Sequence, residues 1–175
     1  NNGVKTRAGE SNTGDQKPVR RLETITMAEF YMRDGTPVSG KLLSDERNQI
    51  VIEQPAESVI VTKTFSKRDV DTRTVKIRQV PAWQYYVQLG KYFNAKTWDF
   101  KDDPDDFISA IRCYEKAKQS LIDSGLEGER SAEMDWNIEK IKKDREVWTE
   151  QVESRTKLKK LEFDAEAEKR LKDIE

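Results

Sequence analysis

From Leu22 to Val80, short runs of β-forming residues alternate with polar ones and are separated by turn signals. The run Thr24–Met32 alternates, with a slip near Ala28, and predicts a strand carrying a bulge. Asp34-Gly35 is a strong hairpin signal, because the turn needs residues that tolerate positive φ. Val38, Gly40 and Leu42 mark one face of a second strand, and Ile50 to Glu53 a third. Pro55 and Ala56 are expected to end that run. Ser58 to Thr64 reads as a fourth strand and Asp71 to Gln79 as a fifth, after a polar turn at Ser66 to Asp69. Five short strands in about sixty residues predict a small, strongly bent sheet or barrel.

After Pro81 the apolar period lengthens to that of a helix. Trp83, Tyr86, Val87, Leu89, Gly90 and Phe93 form a stripe, and the segment Asn94 to Asp103 adds Trp98 and Phe100. A second helix is predicted from Pro104 to Asp123, with Asp103 as N-cap and Ser124-Gly125 as its stop. Asp99, Asp102, Asp103, Asp105 and Asp106 invite a calcium reading. Their spacing lacks the ligand order and sixth-position glycine of an EF-hand, so a helix start is the better account.

Ser131 to Glu175 contains neither Pro nor Gly. Apolar residues recur at Met134, Ile138, Ile141, Trp148, Val152, Leu158, Leu161, Ala165, Leu171 and Ile174. A strict heptad would drift and supercoil, and this pattern does not hold one; the spacing predicts one face of a straight helix. Glu139/Lys143, Glu153/Lys157, Glu166/Arg170 and Glu168/Lys172 are i,i+4 pairs that support it. Its first part, through Trp148, is expected to pack on the helices before it. Its second part, with Val152, Leu158, Leu161, Phe163 and Leu171, outruns any core this chain can build and needs a partner or stands in solvent.

These patterns divide the chain into a basic tail (1–21), a β-barrel (22–80), a helical hairpin (81–130) and a long C-terminal helix (131–175), an α+β architecture. The tail has almost nothing apolar to bury, and Lys5, Arg7, Lys17, Arg20 and Arg21 outnumber Glu10 and Asp15. Alone it should be disordered. It is expected to run extended along a neighbouring subunit, docking on acidic surface or on an exposed strand edge.

Two resemblances sharpen this picture. Tyr86, Leu89, Gly90 and Phe93, followed by Ala110, Tyr114 and Ala117, resemble a tetratricopeptide repeat, in which a small residue lets two helices approach and aromatics fill the space around it. The stretch between Gly90 and Ala110 is longer than that family's ~34-residue repeat allows. Asp34-Gly35-Thr36-Pro37-Val38-Ser39-Gly40-Lys41-Leu42, with Asp45, Asn48 and Ile50-Val51-Ile52, is similar to the first half of an Sm-like or SH3-like barrel, as found in exported bacterial proteins with helical repeats behind it. Ile77-Arg78-Gln79 echoes the Ile-Arg-Gly turn of RNA-binding Sm proteins, with Gln79 in place of the glycine. The segment Asp45 to Asn48 is too short for their RNA-binding loop. The resemblance implies the barrel and strand pairing between subunits more than RNA contact.

Composition narrows the chemistry. Of 175 residues, 37% are charged and 35% apolar, which suits a small core with an extended solvated helix. Basic and acidic residues number 32 and 33, a balance that argues against a general polyanion binder. No run approaches the ~18 apolar residues of a membrane span. There is no histidine, and Cys113 is the only cysteine, so His-based triads, Cys/His zinc sites and internal disulfides are excluded. Cys113 shares a helix face with Ala110 and Ala117 and reads as a buried thiol. Tyr85, Tyr92, Trp83 and Trp98 could line a ligand groove, though core packing is the simpler account. The basic run Arg155, Lys157, Lys159 and Lys160 lies near Phe163 but is flanked by Glu150, Glu153 and Glu162. No Walker loop, dinucleotide fingerprint or nucleophile elbow is present.

The expectation is therefore a non-enzymatic structural subunit of a multi-protein bacterial assembly, in the envelope or a filamentous apparatus. Its partners are expected to be proteins, as a homo-oligomer or within a hetero-assembly, with no cofactor, metal or nucleic acid. Lys5, Arg7, Lys17, Arg20, Arg21, Val152, Leu158, Leu161, Phe163 and Leu171 are its candidate contacts. The alternative is an Sm-like RNA-binding ring protein. Export to the periplasm or cell surface is the expected location, with Asn rather than Met at position 1 leaving a processed leader open. A cytoplasmic location is the alternative.

Overall fold

The computed structural model describes residues 21–99 and 105–174. Lys5, Arg7, Lys17, Arg20, Asp103 and Pro104 lie outside the described residues, as does the side chain of Trp98. Five antiparallel strands come first: β1 (Thr24–Met32), β2 (Pro37–Asp45), β3 (Gln49–Ala56), β4 (Val59–Ser66) and β5 (Val70–Pro81). Three helices follow: α1 (Ala82–Asp99), α2 (Asp105–Asp123) and α3 (Glu129–Lys172). The chain is a small β unit with helices behind it.

Strand order is β4-β3-β2-β1-β5, so each consecutive pair through β4 is a hairpin and β5 returns to pair with β1. At the β1–β2 turn, Gly35 adopts φ 88 and its N–H donates to the Met32 carbonyl at 2.9 Å, while Asp34 Oδ1 accepts from Thr36 N–H at 2.9 Å. The bulge expected near Ala28 falls slightly later, where the β1–β5 register shifts between Glu29 and Tyr31. Pro55 does not end β3. The strand runs on to Ala56 because, past Glu53, β3 is paired with β4 alone. A strand bonded on one side tolerates a missing donor. Glu57, at φ 54, closes the β3–β4 turn.

The sheet bends hard. Phe30 on β1 and Phe65 on β4 are three strands apart, which in a flat sheet is about 14 Å at ~4.8 Å per strand. Their ring centroids lie 5.4 Å apart, edge to face. Inside the bend, Ala28, Phe30, Ile50, Ile52 and Val70 form one core, with Met32, Val38, Leu42 and Val75 around it. Gly40 lets β2 pack tightly on β3: a Cβ there would stand 2.8 Å from the Glu53 carbonyl oxygen and 3.0 Å from Ile52 Cδ1.

A second core belongs to the helices. Leu89 and Phe93 of α1, Phe107, Ala110, Cys113, Tyr114, Ala117 and Leu121 of α2, and Met134, Ile138 and Ile141 of α3 pack together. Ile25 at the start of β1 joins this core, with Met27 and Val80 against it, so the first strand is built into both units. Helices α1 and α2 come close at Gly90, where a Cβ would meet the Tyr114 ring at 2.8 Å. Helix α2 ends with Gly125 in the left-handed region (φ 72) and Leu126 N–H donating to the Leu121 carbonyl at 2.8 Å. That is the six-to-one bond of a glycine-terminated helix. Helix α1 runs to Asp99, so part of the expected inserted segment simply continues the first helix.

Candidate interaction surface

Helix α3 is the feature that the chain's own packing leaves incomplete. It begins at Gly128 (φ 112), whose N–H donates to Ser131 Oγ at 3.2 Å. Forty-four residues at ~1.5 Å each give a rod about 66 Å long. Among the described residues, only its first turns are covered. Met134, Ile138 and Ile141 are buried, and Trp148 lies half-buried with its ring 6.0 Å from that of Phe107. Val152 is half-buried, and every described residue after it is exposed.

The single apolar face expected from the sequence is in fact two. Val152 and Leu158 are six residues apart, which puts them about 120° apart around the helix at ~100° per residue. An inner line runs Ile141, Val152, Phe163 and Ile174, each eleven residues after the last, about three helical turns. It starts in the helical core and emerges into solvent: Ile141 is 1% exposed, Phe163 71% and Ile174 82%. An outer line runs Trp136, Val147 and Leu158 at the same spacing, with Leu161 beside it. All four are exposed, Leu158 at 59% and Leu161 at 65%. Leu171 is exposed as well. Trp136 and Val147 were not among the sequence-selected contacts. The eleven-residue spacing to Leu158 is the signal that finds them.

Strand β4 is a second open feature. It is an edge of the sheet, and Val59 and Ile60 on it are exposed. The other edge, β5, exposes Ile77. Arg21, the one tail residue of the candidate set that is described, is exposed.

The aromatic groove weighed from sequence is mostly core. Tyr85 is buried, and Trp83 and Tyr92 pack against the helical cluster. The Arg130 guanidinium lies 4.7 Å from the Trp83 ring centre, tying the start of α1 to the start of α3. Burial pushes the Tyr85 hydroxyl up to about 12, with the Glu53 carboxylate adding to the effect. Cys113 is buried as expected, and burial pushes its thiol up to about 11 although Lys116 pulls the other way. Such a thiol is protonated and unreactive at neutral pH.

At one end of the sheet, Arg33, Arg47, Lys67 and Arg68 line a shallow depression with Asn48 and Thr72. Carboxylates answer them there: Lys67 Nζ is 2.6 Å from Asp45 Oδ1, and Glu46 and Asp69 lie in the same loops. Among the described residues no cluster of Cys, Asp and Glu is arranged to hold a metal ion, and no helix is long and apolar enough to cross a membrane. No protein family, no curated protein and no solved structure matches this chain.

Proposed function

We propose that this chain is a non-enzymatic assembly subunit, in which the β unit and the α1–α2 hairpin form a head and the distal half of α3 reaches into a neighbouring protein. The observation that carries it is the contrast along one helix. The chain covers Met134, Ile138 and Ile141, then leaves Leu158, Leu161, Phe163 and Leu171 in water. Each such side chain gains roughly 1.5–3 kcal/mol when fully buried. A helix with this much unburied apolar surface is best explained by a partner that covers it.

The strand order and the Phe30–Phe65 contact favour reading the sheet as an Sm/SH3-like half-open barrel, with the β4 edge as a second docking site by strand addition. The Gly90–Tyr114 contact favours a tetratricopeptide-like hairpin. The basic tail is a third contact in this proposal, and a bacterial envelope or filamentous apparatus is its setting, on resemblance. Removing Lys157 to Glu175 tests the reading. The truncated chain should keep the head's melting temperature and lose assembly by size-exclusion. A truncated chain that still assembles to the parent size overturns it.

A second reading, RNA binding by an Sm-like ring, draws on the convergence of Arg33, Arg47, Lys67 and Arg68. The acidic neighbours disfavour it, since they cancel the field a phosphate backbone would need. A titration with labelled RNA at low salt separates the two. Binding that tightens below millimolar and weakens steeply with salt would favour RNA.

A further inference from the structure

We infer that the outer line of α3 pairs with the same line of a second copy of this chain, as a short parallel two-stranded coiled coil between Val147 and Lys169. This rests on the assembly reading and names its partner.

The seam comes first. Val147, Ser154 and Leu161 recur every seven residues, and Gln151, Leu158 and Ala165 recur with them in the complementary positions. That is the alternating spacing of three and four that knobs-into-holes packing requires. The seam also faces the right way. Ile141 and Val152 mark the inner line that packs under the head, and Leu158 lies well round the helix from both. A second α3 can therefore lie along the outer line without meeting the first head.

Charge then selects the occupant. Glu150, Lys157 and Asp164 flank the seam on one side, and Arg155, Glu162 and Lys169 on the other. All six are exposed, and none makes an ion pair within the described residues of its own chain. In a parallel in-register pair, each residue of the first set faces the residue of the second set five positions later on the partner helix. Glu150 then meets Arg155, Lys157 meets Glu162, and Asp164 meets Lys169. All three pairs are opposite in sign, and two-fold symmetry repeats each one. In the nearest antiparallel alignment Lys157 meets Asp164 and Arg155 meets Glu162, while Glu150 faces Leu171. The parallel pairing uses all six of these flanking charges, although Glu168, next in the seven-residue series, meets its own copy.

The seam is weak, with polar Gln151 and Ser154 stacked on themselves and Glu168 facing its own copy at the C-terminal end. The dimer should be weak and should loosen further in salt. Sedimentation of the full chain across concentration and salt measures this. Lys157→Glu and Glu162→Lys should each weaken the dimer roughly tenfold at low salt, and the double variant should restore it. Both are exposed helix positions, and circular dichroism should show the helix unchanged in all three variants. An antiparallel pair predicts the reverse for the double variant, because the new carboxylate at position 157 would face Asp164 and the new ammonium at position 162 would face Arg155. A Ser154→Cys chain, with Cys113 buried and unreactive, should cross-link to itself under mild oxidation. A full chain that is monomeric at every concentration overturns the inference. A dimer that neither cross-links at position 154 nor recovers in the double variant overturns it equally. The assembly reading outlives the second result, because a dimer of another geometry still rests on the distal helix if removal of Lys157 to Glu175 abolishes it.

Discussion

Substituting Gly90 by Ala sets two effects of opposite sign against each other. In the interior of a helix, Ala is better than Gly by ~1 kcal/mol, so propensity alone predicts stabilisation. Packing predicts the opposite. The added methyl would sit 2.8, 2.9 and 3.2 Å from three atoms of the Tyr114 ring. Tyr114 is 3% exposed, so the rigid ring has no open space to swing into, and α1 and α2 must part instead. Overpacking of this kind costs ~1–3 kcal/mol, and three simultaneous contacts under 3.4 Å place it in the upper part of that range. The net loss is about 1–2 kcal/mol. At ~2–4 °C per kcal/mol for a chain of this size, the melting temperature should fall by roughly 2–8 °C. Urea and thermal unfolding of Gly90→Ala measure it. The same change in a Tyr114→Leu background removes the ring and should cost far less, or even stabilise. A Gly90→Ala chain that melts at or above the parent temperature would refute the close-approach account of the hairpin.

Gly40→Ala should be costlier than Gly90→Ala, by about 2 kcal/mol or more, because the nearest atom is the Glu53 backbone oxygen, which cannot rotate away; equilibrium unfolding checks the order. At Gly35 space is open and only φ 88 matters, so Gly35→Val should cost ~1–2 kcal/mol while Gly35→Asn costs little. An unchanged melting temperature for Gly35→Val would contradict the turn. Alkaline pH should destabilise the head. Burial raises the Cys113 thiol to about 11 and the Tyr85 hydroxyl to about 12, so the unfolded chain gives up those protons first. Their contribution is fully present below the ordinary thiol and phenol values and is lost as pH rises through the folded ones. Urea midpoints should fall between about pH 9 and 12, and Cys113→Ala should blunt the lower part of that fall.

What could be read from the sequence follows from how local each signal is. The Asp34-Gly35 turn, the small residues Gly90, Ala110 and Ala117, and the glycine stop at Gly125 are each fixed by their own backbone needs, and the structure has each in its expected place. Pro55 misled because whether a proline ends a strand depends on how many neighbours that strand has, which is a tertiary fact. Ile25 gave no sign that β1 would serve the helical core as well as the sheet. The long helix was legible as a helix, since nothing in Ser131 to Glu175 interrupts it. Its faces were not, because apolar positions counted along a line merge two stripes that differ only in angle. Trp136 and Val147 separate from the inner line only through the burial of Met134, Ile138 and Ile141 under the head.

Amide hydrogen exchange along α3 tests the assembly reading most directly. At high protein concentration, residues from Thr149 to Lys172 should exchange slowly, approaching the protection of Met134 to Ile141. On dilution that protection should fall to the level of an isolated helix while Met134 to Ile141 stay unchanged. Equal protection of the distal half at both concentrations, or none at either, would contradict the claim that another chain completes this helix.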